Sequence, residues 1–170
     1  MPNTIKSIVV KDYSKIREER LANAALYPGH ILTLNSSNKV LKHATADGLA
    51  KPLMVALEDE LQGNGINDAY AADDVVQVGI FRPGDVVNVL LKDGQTATIG
   101  KVLCSAGDGT VQLWSMSGDS SDWLENNAEN LVQFAAAPLG IALEALDLSG
   151  SSGTESDDLT GEQHIKMMVL

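Results

Sequence analysis

Apolar residues in this chain come in short runs of four to eight, punctuated by Gly, Pro, Asn and Asp, which is the pattern of strands and turns rather than of amphipathic helices. From Tyr27 onward the runs are PGHILTL, KVLKHA, PLMVALE, VVQVGIF, VVNVLL, KVLC, TVQLW, LVQFAAA, PLGIALEAL and HIKMMVL. The densest stretch is Asp73 to Ile99, where Val75–Phe81 and Val86–Leu91 flank Arg82-Pro83-Gly84-Asp85. Pro presets the dihedral of the second turn position and Gly supplies a positive φ at the third. A second turn is expected at Lys92-Asp93-Gly94-Gln95, because Asp-Gly is a strong hairpin signal. The pattern predicts three consecutive strands joined by two tight turns. Val86–Leu91 is apolar on both alternating faces apart from Asn88, so it is expected to be buried on both sides. Ahead of Tyr27, residues 1–13 alternate loosely and predict an extended arm. Ser14 is placed to cap a short helix reaching about Ala25, anchored by Ile16 and Leu21.

An ordered internal similarity adds to this picture. Pro28–Leu34 matches Pro83–Val89 in residue type, and Pro52–Glu58 matches Pro138–Glu144 more closely. After each Ala-Leu-Glu an acidic, Gly-containing loop leads to a closing strand, Val75–Phe81 or His164–Leu170. The fold class expected is therefore mainly β, a compact β-barrel or sandwich built from two related halves, with an extended N-terminal arm and one short helix. The boundaries are 1–26 for arm and helix and 27–170 for the β domain, with halves at about 27–81 and 82–170. A polar insertion occupies about 107–136 of the second half.

Composition narrows the function classes. With 170 residues the chain suits one domain with a proper core. Its formal charge of −11 argues against a nucleic-acid groove, whose phosphates it would repel. The charge is unevenly placed: residues 1–51 carry net +4 and the remainder net −15. A basic leading segment on an acidic body suits contact with an acidic neighbouring surface, or simple solvation. One cysteine, Cys104, excludes an intramolecular disulfide and fits a reducing compartment. No run approaches membrane-spanning length and no export signal is visible, so a soluble protein is expected.

Candidate chemistry is sparse. His30, His43 and His164 lack metal-ligand spacing, and Cys104 lacks the partners of a nucleophile. No phosphate-binding glycine motif and no serine elbow is present. Asp73-Asp74 and Asp157-Asp158 read as solvated loop acids rather than a calcium loop. Glu58 and Glu144 occupy matching places in the two halves. They suit either paired carboxylates of a hydrolase or structural roles at strand ends. No enzyme and no cofactor is implied. Trp114 and Trp123, the only tryptophans, sit in the insertion, either as anchors for a partner or as plugs for an open barrel end.

Several words of the chain resemble the head decoration, or capsid cement, proteins of tailed bacteriophages. They are ALYPGHILTLNSSNKVLKHA, PLMVALEDELQGNGINDAYAADDVVQVGIFRPGDVV, LLKDGQTATIG, PLGIALEALDLSG and IKMMVL, spread over Leu26 to Leu170. The most specific parts are LQGNGINDAY at 61–70 and the AADD-led strand after it. The resemblance implies a non-enzymatic virion protein on the outer capsid surface, made in the host cytoplasm. Its partner would be the major capsid protein, with a homotrimer favoured and no direct nucleic-acid or membrane contact. The arm residues Ile5, Lys6, Ile8, Val9, Tyr13, Arg17 and Arg20 are the expected capsid contacts. The alternative is a carbohydrate- or host-surface-binding module using Trp114 and Trp123.

Overall fold

A computed structural model describes residues 7–12, 16–48, 50–114, 137–150 and 163–170. Among them the chain is built from thirteen strands and no helix. Strands β2 (Ile16–Leu21), β6 (Val75–Phe81), β5 (Leu53–Ala56), β3 (Ile31–Leu34) and β4 (Val40–Lys42) form one antiparallel sheet in that spatial order. A second sheet runs β1 (Val9–Lys11), β7 (Val86–Leu90), β13 (His164–Val169), β11 (Gly140–Ala142), β9 (Val102–Ser105) and β10 (Val111–Leu113). A short pair joins β8 (Thr96–Ala97) to β12 (Leu146–Asp147).

Both large sheets curl. An isolated parallel bridge joins Ala22, just past β2, to Val40 at the opposite edge of the five-stranded sheet. Another joins Leu91, just past β7, to Val111 of β10. Neither ladder closes into a barrel.

Side-chain alternation explains why the five-stranded sheet is apolar on both faces. Ile31, Leu53, Val55 and Phe81 point into a core shared with the other sheet, where they meet Val87, Val89, Leu103, Ile165 and Met167. Their neighbours Leu32, Val40, Ala56, Val76 and Val78 point the other way, into a smaller core covered by Leu26 and Tyr70. As expected, Val86–Leu91 is buried throughout.

Three expectations are corrected. The helix after Ser14 is instead strand β2 over Ile16–Leu21, registered residue for residue against β6 from Ile16↔Ile80 to Leu21↔Val75. Its exposure alternates with period two, and its apolar stripe is too thin to hold a helix against solvent. Arg20 Nη2 lies 2.5 Å from the Glu18 carboxylate, a two-residue spacing that shares a face only on a strand.

The turn at Arg82–Asp85 forms as read, with the Asp85 amide donating to the Arg82 carbonyl at 3.0 Å and Gly84 at φ 95°. It does not make a hairpin: β6 and β7 belong to different sheets. The positive φ falls on Gly84 alone, so this is a type II turn, whose twist splays its flanking strands instead of pairing them. The second turn behaves likewise. Gly94 has φ 76° and Asp93 is not left-handed, and β8 pairs with β12 rather than with β7. A residue with a Cβ at position 84 meets the left-handed penalty. Gly84→Val is expected to lower stability by about 1–2 kcal/mol, measurable as a reduced denaturation midpoint at unchanged slope.

The two Pro-Gly turns are local twins. In the first, the Tyr27 amide donates to His30 Nδ1 at 2.9 Å; in the second, the Arg82 amide donates to Asp85 Oδ2 at 2.8 Å. Each glycine amide then donates to a neighbouring strand, Gly29 to the Ala56 carbonyl and Gly84 to that of Val169. The partner differs in chain order: β3 pairs β5, whereas β7 pairs the closing strand β13 and not β11. The likeness therefore resides in the turn and its first strand.

Candidate functional site

The leading segment is fastened to the body by one carboxylate. The Glu58 side chain accepts the Ile8 amide at 3.0 and 3.2 Å and the Ser7 hydroxyl at 2.5 Å. Asn88 adds a bond from its side-chain amide to the Ser7 carbonyl at 2.7 Å. These bonds set Ile8 into the shared core with no exposed surface and lay β1 along β7. Ile8 is thus a core residue, which corrects its assignment as a capsid contact. The same side chain meets the protein's own interior and cannot reach outward.

Val9 is half-buried beside this anchor, Arg17 is exposed, and Arg20 is half-buried and paired with Glu18. Ile5, Lys6, Tyr13 and Trp123 lie outside the described residues. Val9 and Arg17, from two different sheets, come together on the walls of one cleft of about 220 Å³, which Glu58, Asp59, Leu61 and Gln77 also line. Among the described residues β1 and β2 each lie at the edge of their sheet, and both flank this region. At its mouth Leu61 is 93% exposed.

The segment that carries Asp59 is held from below. Ile66 is buried in the shared core and Tyr70 in the smaller one. The Tyr70 hydroxyl donates to the Leu57 carbonyl at 2.7 Å. Burial, with the nearby charges of Asp59 and Glu58 adding to it, pushes the phenol up to about 12. Tyr70 is therefore a structural donor.

No family model matches this chain, and no curated protein does.

The remaining candidates have structural partners. Glu144 accepts the Lys166 amide at 2.8 Å, so the two matching glutamates each bind a backbone N–H on another strand or arm. Asp74 accepts the Ala71 amide at 2.7 Å, and Asp73 pairs with Lys39. Trp114 is partly buried and its indole N–H lacks an acceptor among the described residues. Cys104 is fully buried; its thiol donates to Asp47 Oδ1 at 3.0 Å. Burial first, and the Asp47 bond and charge next, push it up to about 12. A thiol so disposed is a poor nucleophile. Thiol reagents are expected to label it at least tenfold more slowly than in denaturant, as a mass-shift time course would show.

All three histidines are buried, at places where the two sheets meet. His30 directly precedes β3, and His164 Nε2 lies 3.1 Å from the Pro28 carbonyl. His43 Nδ1 lies 2.7 Å from the Ser105 hydroxyl. Burial, with the charge of Lys42 adding to it, lowers His30 to about 3. No group of three or more metal-ligating side chains gathers among the described residues. No helix among the described residues is long and apolar enough to cross a membrane. Sequence reasoning missed the Glu58–Ile8 anchor and the cleft because both join residues about fifty positions apart. The only signal was an acidic triplet, Glu58-Asp59-Glu60, directly after an apolar strand.

Proposed function

We propose that the protein is a capsid decoration protein that binds the outer face of an expanded phage head and clamps neighbouring major capsid protein subunits, as a homotrimer. The observation that carries this reading is the convergence of β1 and β2, which lie at the edges of their sheets among the described residues, on one cleft lined by Val9 and Arg17. The words resembling head decoration proteins run through the same segments, including Glu58–Tyr70. In this reading the two sheets are a sandwich-like body of two related halves, and the leading residues and edge strands are its gripping side. Affinity for the expanded shell and little for its precursor stabilises the expanded state by mass action. Many copies each add a modest contact, and together they resist the outward pressure of packaged DNA.

The test is thermal. Expanded shells saturated with the protein are expected to disrupt at a higher temperature than bare shells, by several degrees. Equal disruption temperatures, with bound protein verified in the pellet, would remove the clamping role. Binding to a glycan array, lost in Trp114→Ala, would favour the carbohydrate-binding alternative instead.

A further inference from the structure

Asn64 is the one asparagine of this chain that is followed by glycine. In such a pair the main-chain nitrogen of the glycine can reach the asparagine side chain, because no Cβ blocks its approach. Asn64 and Gly65 are both exposed, in the loop between β5 and β6. Other asparagines are better guarded: the Asn35 side chain accepts the amides of Ser37 and Lys39 at 2.9 and 3.0 Å, and Asn88 is buried.

The loop holds the pair by its main chain. The Asn64 amide donates to the Asp59 carbonyl at 3.0 Å. The Gly65 amide donates to Asp68 Oδ2 at 2.7 Å, and the Asp68 amide returns a bond to the Gly65 carbonyl at 3.1 Å. This closed turn carries Ile66, which is buried in the shared core. A Cβ added at Gly65 would meet only Asp68 Oδ2, at 3.7 Å, so a hydrogen bond and not crowding restrains the nitrogen.

We propose that Asn64 is a site of spontaneous deamidation and that Asp68 sets its rate by holding the Gly65 amide. The Gly65 nitrogen loses its proton to hydroxide and attacks Asn64 Cγ. A C–N bond forms there, the bond to the side-chain nitrogen breaks, and ammonia leaves with a proton from water. Water then opens the cyclic imide at either carbonyl, which leaves aspartate or isoaspartate. Asp68 opposes the first step in two ways. Its negative charge disfavours the deprotonated nitrogen. Its hydrogen bond must also break before the nitrogen can line up with Cγ. Either product adds a negative charge, and isoaspartate inserts a methylene into the main chain just ahead of Ile66.

The full chain is aged in mildly alkaline buffer, folded and in denaturant, and mapped by tandem mass spectrometry. In denaturant Asn64 is expected to lose ammonia ahead of every other asparagine, and in the folded chain to do so several times more slowly. Folded Asp68→Ala should react about threefold faster or more than folded wild type, the worth of one exposed hydrogen bond. Asp68→Ser, with an uncharged acceptor, should fall between them and decides the matter if Asp68→Ala does not fold. Both variants should match wild type in denaturant, where the turn is gone. The loop has room for Gly65→Ala, which should suppress the loss in both states. Earlier loss at another asparagine in the denatured chain, or an undiminished rate in Gly65→Ala, would overturn the site. Equal folded rates in wild type and the Asp68 variants, or variants that are faster in denaturant too, would overturn the role of Asp68.

Discussion

Lowering the pH from 7 to 5 is expected to cost the folded protein about 2 kcal/mol through His30 alone. His30 is lowered from 6.5 to about 3 because burial disfavours its charged form and Lys42 repels it, outweighing the attraction of Asp108. The unfolded chain therefore binds the proton that the folded chain refuses. The stability it contributes is fully present above pH 6.5 and is lost progressively as pH falls from there toward 3. The full loss is about 4–5 kcal/mol, a large part of the stability of an ordinary domain. Lys42, Asp108 and His164 are the charged or titratable groups facing the ring, and Gly109 packs against its Cδ2 edge. The informative variant is His30→Asn. Its side-chain oxygen can accept the Tyr27 amide, as Asp85 does for Arg82 in the twin turn. Denaturant titrations at pH 7 and 5 should show a smaller drop in the variant, although it starts less stable. A drop as large as that of the wild type would mean that other groups govern the acid response.

The second large effect concerns the leading segment. Ile8→Ala is expected to lower stability by about 2–5 kcal/mol, because it empties a fully buried site in the core that both sheets share. Glu58→Ala should cost about 1–3 kcal/mol by leaving the buried Ile8 amide without its acceptor. The two should be non-additive, since each works through the same docking of β1 on β7. The double variant is expected to fall short of the sum by at least 0.5 kcal/mol. Full additivity in denaturant titrations would show that Glu58 does not hold Ile8 in place. Because Ile8 belongs to the shared core, removing residues 2–13 would damage the body itself, and loss of shell binding by such a truncation would not isolate the arm. Deletion of residues 2–6 is the cleaner experiment.

Much of the fold is legible in local chemistry. The β-branched runs at Val75–Phe81 and Val86–Leu91, and the glycine positions at 29, 84 and 94, follow from propensity and dihedral preference, and the structure places strands and turns there. What local chemistry does not carry is which strand each turn hands the chain to. Arg82–Asp85 reads as a hairpin turn until the single left-handed residue identifies type II geometry. Ile16–Leu21 shows the same limit. IREERL suits a helix by propensity, yet the pairing with β6 satisfies its backbone and fixes it as a strand. The candidate site is the least legible part. Val9, Arg17 and Asp59 are distant in sequence, and only the meeting of the sheets gives them one cleft. Ile8 looks like an arm residue because its anchor, Glu58, lies beyond any local pattern.

Selective attachment to a mature shell is the central claim, and one sedimentation experiment tests it directly. Purified protein is mixed with expanded heads and, separately, with their unexpanded precursors at equal subunit concentration. Saturable co-sedimentation with expanded heads, and at least a hundredfold weaker binding to the precursor, is the result expected. Equal binding to both forms, or to neither, would contradict it.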